Sequence, residues 1–214
     1  AVRAGTISEA RIDEAVRRII AAKQRYGLLD WQPLDPATAA ERVNLPAHEA
    51  LLNDLFLAGV TVALDRHNLI PIAPDRPAAL VYPATRVQVA NECKALRPDL
   101  RLVGVSDAPS AEEIGWAQDA AKRSDIVIVF TQNAVSTAEQ QALVNALPAA
   151  KTAVVALFSP YDFLKFPDIA AYIVTYSPAR PAVPAACTIL FGAAASNARL
   201  SVHLSDDLPA GSRN

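Results

Sequence analysis

The amino-acid sequence predicts an α/β fold: a three-layer αβα sandwich on a mainly parallel sheet of about six strands, preceded by a helix and a linker. Three observations predict it. From residue 47 onward, short β-rich runs alternate with helical stretches, the pattern of layers around a parallel sheet. The run Ile126-Val127-Ile128-Val129-Phe130 is apolar at every position, as a central strand covered on both faces must be. The chain has 214 residues, of which 52% are hydrophobic and 20% charged, enough for one sizeable core.

The elements follow in order. Ile12, Val16, Ile19 and Ile20 recur at helical spacing and make one apolar stripe on a helix over residues 7–27. Ser8 is its N-cap, Ile7 and Ile12 occupy the two positions of a hydrophobic staple, and Gly27 stands where a left-handed C-cap belongs. Pro33, Pro36 and Pro46 punctuate a connector without sustained period. Strands are expected over 59–64, 78–82, 101–105, 125–131, 153–159 and 172–176. Helices are expected over 47–57, 86–96, 110–123, 136–147 and 181–191. Residues 199–204 suit a further edge strand, and 206–214 a frayed, flexible tail.

Composition excludes several classes of function. A net charge of −2 offers no footprint for a phosphate backbone or an anionic membrane surface, so neither nucleic acid nor membrane is an expected partner. No apolar run approaches the ~20 residues a bilayer span needs. Residues 1–6 lack the charged and apolar regions of a signal peptide, so the cellular compartment is not encoded. The absence of methionine leads us to expect a reading frame that begins upstream of Ala1. Cys93 and Cys187 stand far apart, outside any Cys-x-x-Cys or Cys/His cluster, and are expected to be buried small hydrophobes; no metal site is expected.

Seven scattered glycines assemble into no phosphate-binding loop, so no nucleotide cofactor is expected. Ser106, Ser159 and Ser177 lack the flanking glycines of a nucleophile elbow. His48, His67 and His203 fall in a helix start, a polar turn and the tail, where surface roles outweigh catalysis. Ser110 with Glu113, and Ser136 with Glu139, each match the S-x-x-E capping box; Asp125 turns the chain into the most apolar strand.

What remains is the carboxyl edge of the sheet, where an open α/β fold keeps its ligand crevice. Asp107, Gln132, Asn133, Tyr161, Asp162 and Tyr176 fall there, with Ser106, Thr131, Ser159 and Ser177. They offer hydrogen-bonding groups and stacking surface to a sugar or to a neighbouring domain. Loop ends without a ligand, and an interdomain contact, stand beside that reading.

Several stretches together resemble glycoside hydrolase family 3. Residues 6–20, Thr6-Ile7-Ser8-Glu9-Ala10-Arg11-Ile12-Asp13-Glu14-Ala15-Val16-Arg17-Arg18-Ile19-Ile20, continued by 22–30, resemble the segment that closes the family's barrel and leads into its second domain. Gly59-Val60-Thr61-Val62-Ala63-Leu64 with Leu69-Ile70-Pro71-Ile72 looks like the family's S-V-T-L-L … L-P-L opening of that domain. Ser124-Asp125-Ile126-Val127-Ile128-Val129 looks like A-D-V-V-I-V. Residues 154–162, Val154-Val155-Ala156-Leu157-Phe158-Ser159-Pro160-Tyr161-Asp162, with 171–176, are similar to V-V-V-A-L-x-S-P-Y-D-L … A-Y-L-x-T-Y of the two-domain β-N-acetylhexosaminidase branch. Ile189-Leu190-Phe191-Gly192 and Arg199-Leu200-Ser201-Val202 resemble L-F-G … G-R-L-P-V.

The resemblance implies a barrel-closing helix over 1–30, a linker over 31–46, the family's C-terminal α/β sandwich domain over 47–205 and a tail over 206–214. It implies as partner a barrel domain that these residues do not contain. The family's aspartate nucleophile, and in this branch a histidine general acid in a K-H-F-P-G-type stretch, belong to that barrel, and neither motif occurs here. No catalytic residue carries over, and the chain alone is expected to be inactive. Ser201 stands where the family usually has proline, and residues 65–67 are polar where it often has Leu-Lys-Asn. Two further expectations remain open: a free-standing carbohydrate-binding or protein-interaction module, and a hydrolase using Asp107 and Asp162, with Glu139 a further carboxylate to search. Without the barrel, the stripe of Ile12, Val16, Ile19 and Ile20 is expected to pair two copies of the chain.

Overall fold

The computed structural model describes residues 1–33, 35–43 and 45–213. They fall into two units, Ala1–Pro46 and Ala47–Asn214. The first holds α1 (Glu9–Arg25) and a short α2 (Pro36–Ala39) that runs into a 3₁₀ turn. Ser8 caps α1 by accepting the Arg11 N–H at 3.2 Å. At the other end Gly27, with φ 66°, lets the Leu28 N–H reach back to the Lys23 carbonyl at 2.8 Å, the bond that closes a Schellman turn. Ile12, Val16, Ile19 and Ile20 are all exposed.

The second unit is built on six strands: β1 (Thr61–Asp65), β2 (Ala78–Pro83), β3 (Arg101–Val105), β4 (Ile126–Thr131), β5 (Thr152–Ala156) and β6 (Ala171–Val174). Their order is β1-β6-β5-β4-β2-β3. All neighbours pair in parallel except β1, which runs antiparallel to β6. Five helices complete the unit: α3 (Pro46–Gly59), α4 (Val87–Leu96), α5 (Ala111–Lys122), α6 (Ala138–Asn145) and α7 (Ala182–Leu190).

Strand periodicity divides the core into two layers. Leu80, Ile128, Phe130, Val155 and Ile173 face α4, α7 and the half-buried Phe56 and Leu57 of α3. Val81, Val127, Val129, Val154 and Val174 face α5 and α6. The change of helix layer follows from connection hand: β2 leads outward through α4 to β3, and the chain then returns across the sheet through α5 to β4. The direction therefore reverses between β2 and β4, the topological switch point of a doubly wound sheet. This is the expected mainly parallel three-layer fold.

Four local expectations are corrected. Cys93 and Cys187 are fully buried, but they are joined in a disulfide, because α4 and α7 lie side by side with the two Cα atoms 5.0 Å apart. Residues 199–204 form no strand of the sheet; the Leu200 N–H instead donates to the Ser212 carbonyl at 2.9 Å, and the one bridge nearby joins Ser205 to Leu208. Residues 206–213 are packed rather than frayed: Leu208 is buried, and the Gly211 N–H donates to the Leu200 carbonyl at 2.7 Å, while Asn214 lies outside the described residues. Ser136 makes no capping box with Glu139, because it lies in a 3₁₀ turn and α6 starts from Thr137. The companion box of Ser110 and Glu113 is present.

Candidate functional site

Five strands deliver their carboxyl ends to one edge, and each brings a polar loop. The loops are tied to one another rather than left free. Arg86, at the end of the turn after β2, donates from Nε to Gln132 Oε1 and from Nη1 to the Pro178 carbonyl at 3.1 Å. One side chain thus spans the switch point and reaches the loop after β6. Gln140, buried in α6, accepts the Gln132 N–H at 2.9 Å and donates to the Asp107 carbonyl at 3.0 Å. It thereby joins the ends of β4 and β3.

The expected site residues take their places in this network. Asp107 is exposed and accepts the Thr85 hydroxyl at 2.9 Å. Gln132 is half-buried between Arg86 and Gln140. Asn133 has φ 62°, the left-handed region that a short amide side chain tolerates, and so turns the chain sharply after β4. Tyr176 also has a positive φ, 58°, a strained backbone for an aromatic residue. Its hydroxyl donates to the Thr61 hydroxyl and accepts the Ser201 N–H, both at 3.3 Å. Tyr161 is exposed, beside exposed Phe158 and Leu164 on the same loop.

Asp162 is read from sequence as an edge residue, yet it is fully buried. Its carboxylate accepts the Thr131 hydroxyl at 2.9 Å and the Val135 N–H at 2.8 Å, welding the loop after β5 to the turn after β4. Burial raises its pKa above the ordinary carboxylate value, and the hydrogen bonds from Val135, Ala134 and Thr131 oppose that rise. Tyr172 supports the same loop from below. Its buried hydroxyl donates to the Pro160 carbonyl at 2.9 Å and accepts the Phe163 N–H at 3.2 Å, and burial pushes its pKa well up.

Glu113 works in the opposite sense. Its carboxylate accepts the Ser110 N–H at 2.7 Å, the Ser106 N–H at 2.6 Å and the Ser106 hydroxyl at 2.9 Å, which lowers its pKa to about 2. These bonds fix the loop after β3. The structure therefore brings Asp107, Gln132, Asp162 and Tyr176 to one edge and ties each to a neighbouring loop by a hydrogen bond, with Asp162 alone fully buried.

Thr131 is expected at the edge and lies there, whereas Arg86, Gln140 and Thr85 complete the edge and escape sequence reasoning. A lone arginine opening a helix and a glutamine one residue beyond a supposed capping box carry no motif. His48, His67 and His203 are exposed. Among the described residues no group of three or more His, Cys, Asp or Glu is placed to hold a metal ion. No described helix is long and apolar enough to cross a membrane.

No protein-family model matches the chain. A curated β-N-acetylglucosaminidase/β-glucosidase of Cellulomonas fimi is 34% identical over 82 residues, which are 38% of this chain and 14% of that protein. Among solved structures, a glycoside hydrolase family 3 β-N-acetylglucosaminidase of Paenibacillus sp. str. FPU-7 matches with a TM-score of 0.68 at 23% identity, over 92% of this chain and 40% of that one. A fungal multi-domain family 3 β-N-acetylglucosaminidase matches with 0.66 at 23% identity, over 96% of this chain and 25% of that one. A β-glucosidase of Listeria innocua matches with 0.67 at 16% identity, over 90% and 32%. The chain spans well under half the length of each of these proteins. In fold over nearly its whole length, and in sequence over 38% of it, the chain resembles one part of the β-N-acetylglucosaminidases and β-glucosidases of glycoside hydrolase family 3.

Proposed function

We propose that this chain is the accessory C-terminal α/β domain of a family 3 glycoside hydrolase that cleaves O-glycosidic bonds of the β-N-acetylhexosaminide type. In this reading it packs against a catalytic barrel, and it is inactive alone because nucleophile and general acid belong to that barrel. One observation carries the reading: Arg86, Gln132, Gln140 and Asp162 are bonded to one another's loops in closing the carboxyl edge, and the burial of Asp162 takes it out of any pair with Asp107 that would flank a sugar. The edge then serves as an interdomain contact, with Phe158, Tyr161 and Leu164 as its apolar surface.

The test is hydrolysis of a chromogenic N-acetyl-β-glucosaminide by this chain, beside the longest product of its gene. Activity confined to the longer product is expected. Turnover by the short chain defeats the proposal.

A second reading, a free-standing carbohydrate-binding module, is favoured by one feature: Phe158 and Tyr161 are both exposed on one loop, as rings that stack on sugars are. Calorimetric titration with chitooligosaccharides decides it. For the chain without a barrel we propose self-association through Ile12, Val16, Ile19 and Ile20, all exposed on one stripe of α1. A monodisperse monomer in sedimentation removes that proposal.

A further inference from the structure

The disulfide between Cys93 of α4 and Cys187 of α7 carries information that neither fold nor family resemblance supplies. These are the chain's only two cysteines. Both are without solvent exposure, in the core layer beneath α4 and α7. We infer that the oxidised chain is the native one and that the protein matures in an oxidising compartment, outside the thiol-reducing cytosol.

Other uses of a cysteine pair find no support around it. A zinc site needs further ligands, and none of the described His, Asp or Glu residues gathers with either sulfur. A redox or nucleophilic thiol needs exposure and a helix N-terminus or a cation to stabilise its thiolate. Both cysteines instead lie in the second half of their helices, among Val89, Leu190 and other apolar side chains. A buried sulfur in that setting is inert unless it is bonded.

The geometry also favours the bonded state. A Cα separation of 5.0 Å lies inside the range of bridged cysteines. Two free thiols at that separation need about 3.5–4.0 Å between non-bonded sulfur atoms, so the reduced pair must turn its side chains or part the helices. The bond joins segments 94 residues apart, and the loop it closes contains β3, α5, β4, α6, β5 and β6. It holds the helix after the first parallel strand to the helix after the last one. Cytosolic thiol pools keep such pairs reduced, whereas oxidising compartments retain them.

Formation of the bond removes two protons and two electrons from the pair, and a protein or small-molecule disulfide accepts the electrons. Before the core closes, one cysteine thiolate attacks that disulfide, forms a mixed disulfide and releases one sulfur of the oxidant. The second cysteine thiolate then displaces the other sulfur, and the oxidant leaves as two thiols carrying the two protons.

The experiment uses cells that make the protein. They are fractionated after acid quenching, unfolded and alkylated with N-ethylmaleimide, and the intact chain is weighed with and without prior reduction. The expected result is a chain in the exported fraction that takes up no adduct as isolated and two after reduction. In parallel, the Cys93→Ala/Cys187→Ala double variant is expected to melt roughly 10–15 °C lower, as the loss of a bond closing so long a loop predicts. A chain carrying two adducts in the cytosolic fraction overturns the inference, and so does a double variant that melts unchanged. If the double variant does not fold, the adduct count decides alone.

Discussion

Replacing Asp162 separates a structural carboxylate from a catalytic one. In the folded chain it is fully buried and is the acceptor for the Thr131 hydroxyl and the Val135 N–H. Asp162→Ala strands both donors without water, and each stranded donor costs about 1–3 kcal/mol. Removing a buried charge returns part of this, so the net loss is about 2–4 kcal/mol. For a chain of this size that lowers the melting temperature by roughly 5–15 °C. Asp162→Asn keeps an acceptor for Val135 and an amide that can donate to the Thr131 oxygen, so it is expected to lose less than about 1 kcal/mol. Urea unfolding followed by circular dichroism at neutral pH reads both variants. The pH dependence supplies an independent check. The pKa of Asp162 is raised on folding, so the folded chain binds its proton more tightly than the unfolded one. Wild type therefore gains stability relative to Asp162→Asn as pH falls through the raised value toward the ordinary one. If Asp162→Ala unfolds like wild type while the longer gene product loses glycoside hydrolysis, the structural assignment is wrong and the carboxylate belongs to chemistry.

Three other perturbations test the rest of the edge and its frame. Glu113→Gln removes a carboxyl whose pKa is lowered from 4.5 to about 2. Wild type holds that stabilisation above pH 4.5 and loses it as pH falls toward 2, so an acid titration of unfolding is expected to be flatter for the variant across that window. Arg86→Ala deletes the donors to Gln132 and to the Pro178 carbonyl, with an expected loss of about 1–3 kcal/mol in urea unfolding, charged donors standing at the upper end of single hydrogen bonds. Gly192→Ala places a Cβ 2.9 Å from Pro71 Cβ at a backbone φ of +75°, so a loss of about 1–3 kcal/mol is expected in the same assay; a variant as stable as wild type contradicts it.

The sheet was legible because its strands carry their own signal. The apolar run from Ile126 to Phe130 has one physical use, a strand covered on both faces, and residues 101–105 were placed to the residue. The caps of α1 and α5 were equally local: Ser8, Gly27 and the Ser110–Glu113 box act within a few residues of themselves. Two of the errors involve partners distant in sequence, whereas the missing Ser136–Glu139 box is local and fails because Ser136 lies in a 3₁₀ turn. Cys93 meets Cys187 only after α4 and α7 have docked, and nothing in the spacing of two lone cysteines predicts it. Asp162 lies in the 3₁₀ turn after β5, and its burial depends on Thr131 and Val135, which come from another strand and turn. Residues 199–204 have strand-like composition, yet Leu200 pairs its backbone with Gly211 and Ser212 rather than with the sheet.

The state of the switch point explains why the fold alone says so little about chemistry. A doubly wound sheet binds ligands between β2 and β4 because diverging loops leave a crevice with unpaired backbone and side-chain donors. Here the loops diverge as the topology requires, but Arg86 lies across the gap to Gln132, and Gln140 holds Gln132 and Asp107 together from α6. A ligand entering there would have to break charge-assisted bonds already made, at about 1.5–3 kcal/mol each, before making any of its own. A packing surface has the opposite requirement: loops that are rigid before contact and polar groups satisfied without the partner, so that apolar side chains such as Phe158, Tyr161 and Leu164 contribute without ordering cost. The hydrogen bonds that close the crevice are the same ones that make the edge rigid, which is the physical ground for proposing a docking domain rather than a binding cleft.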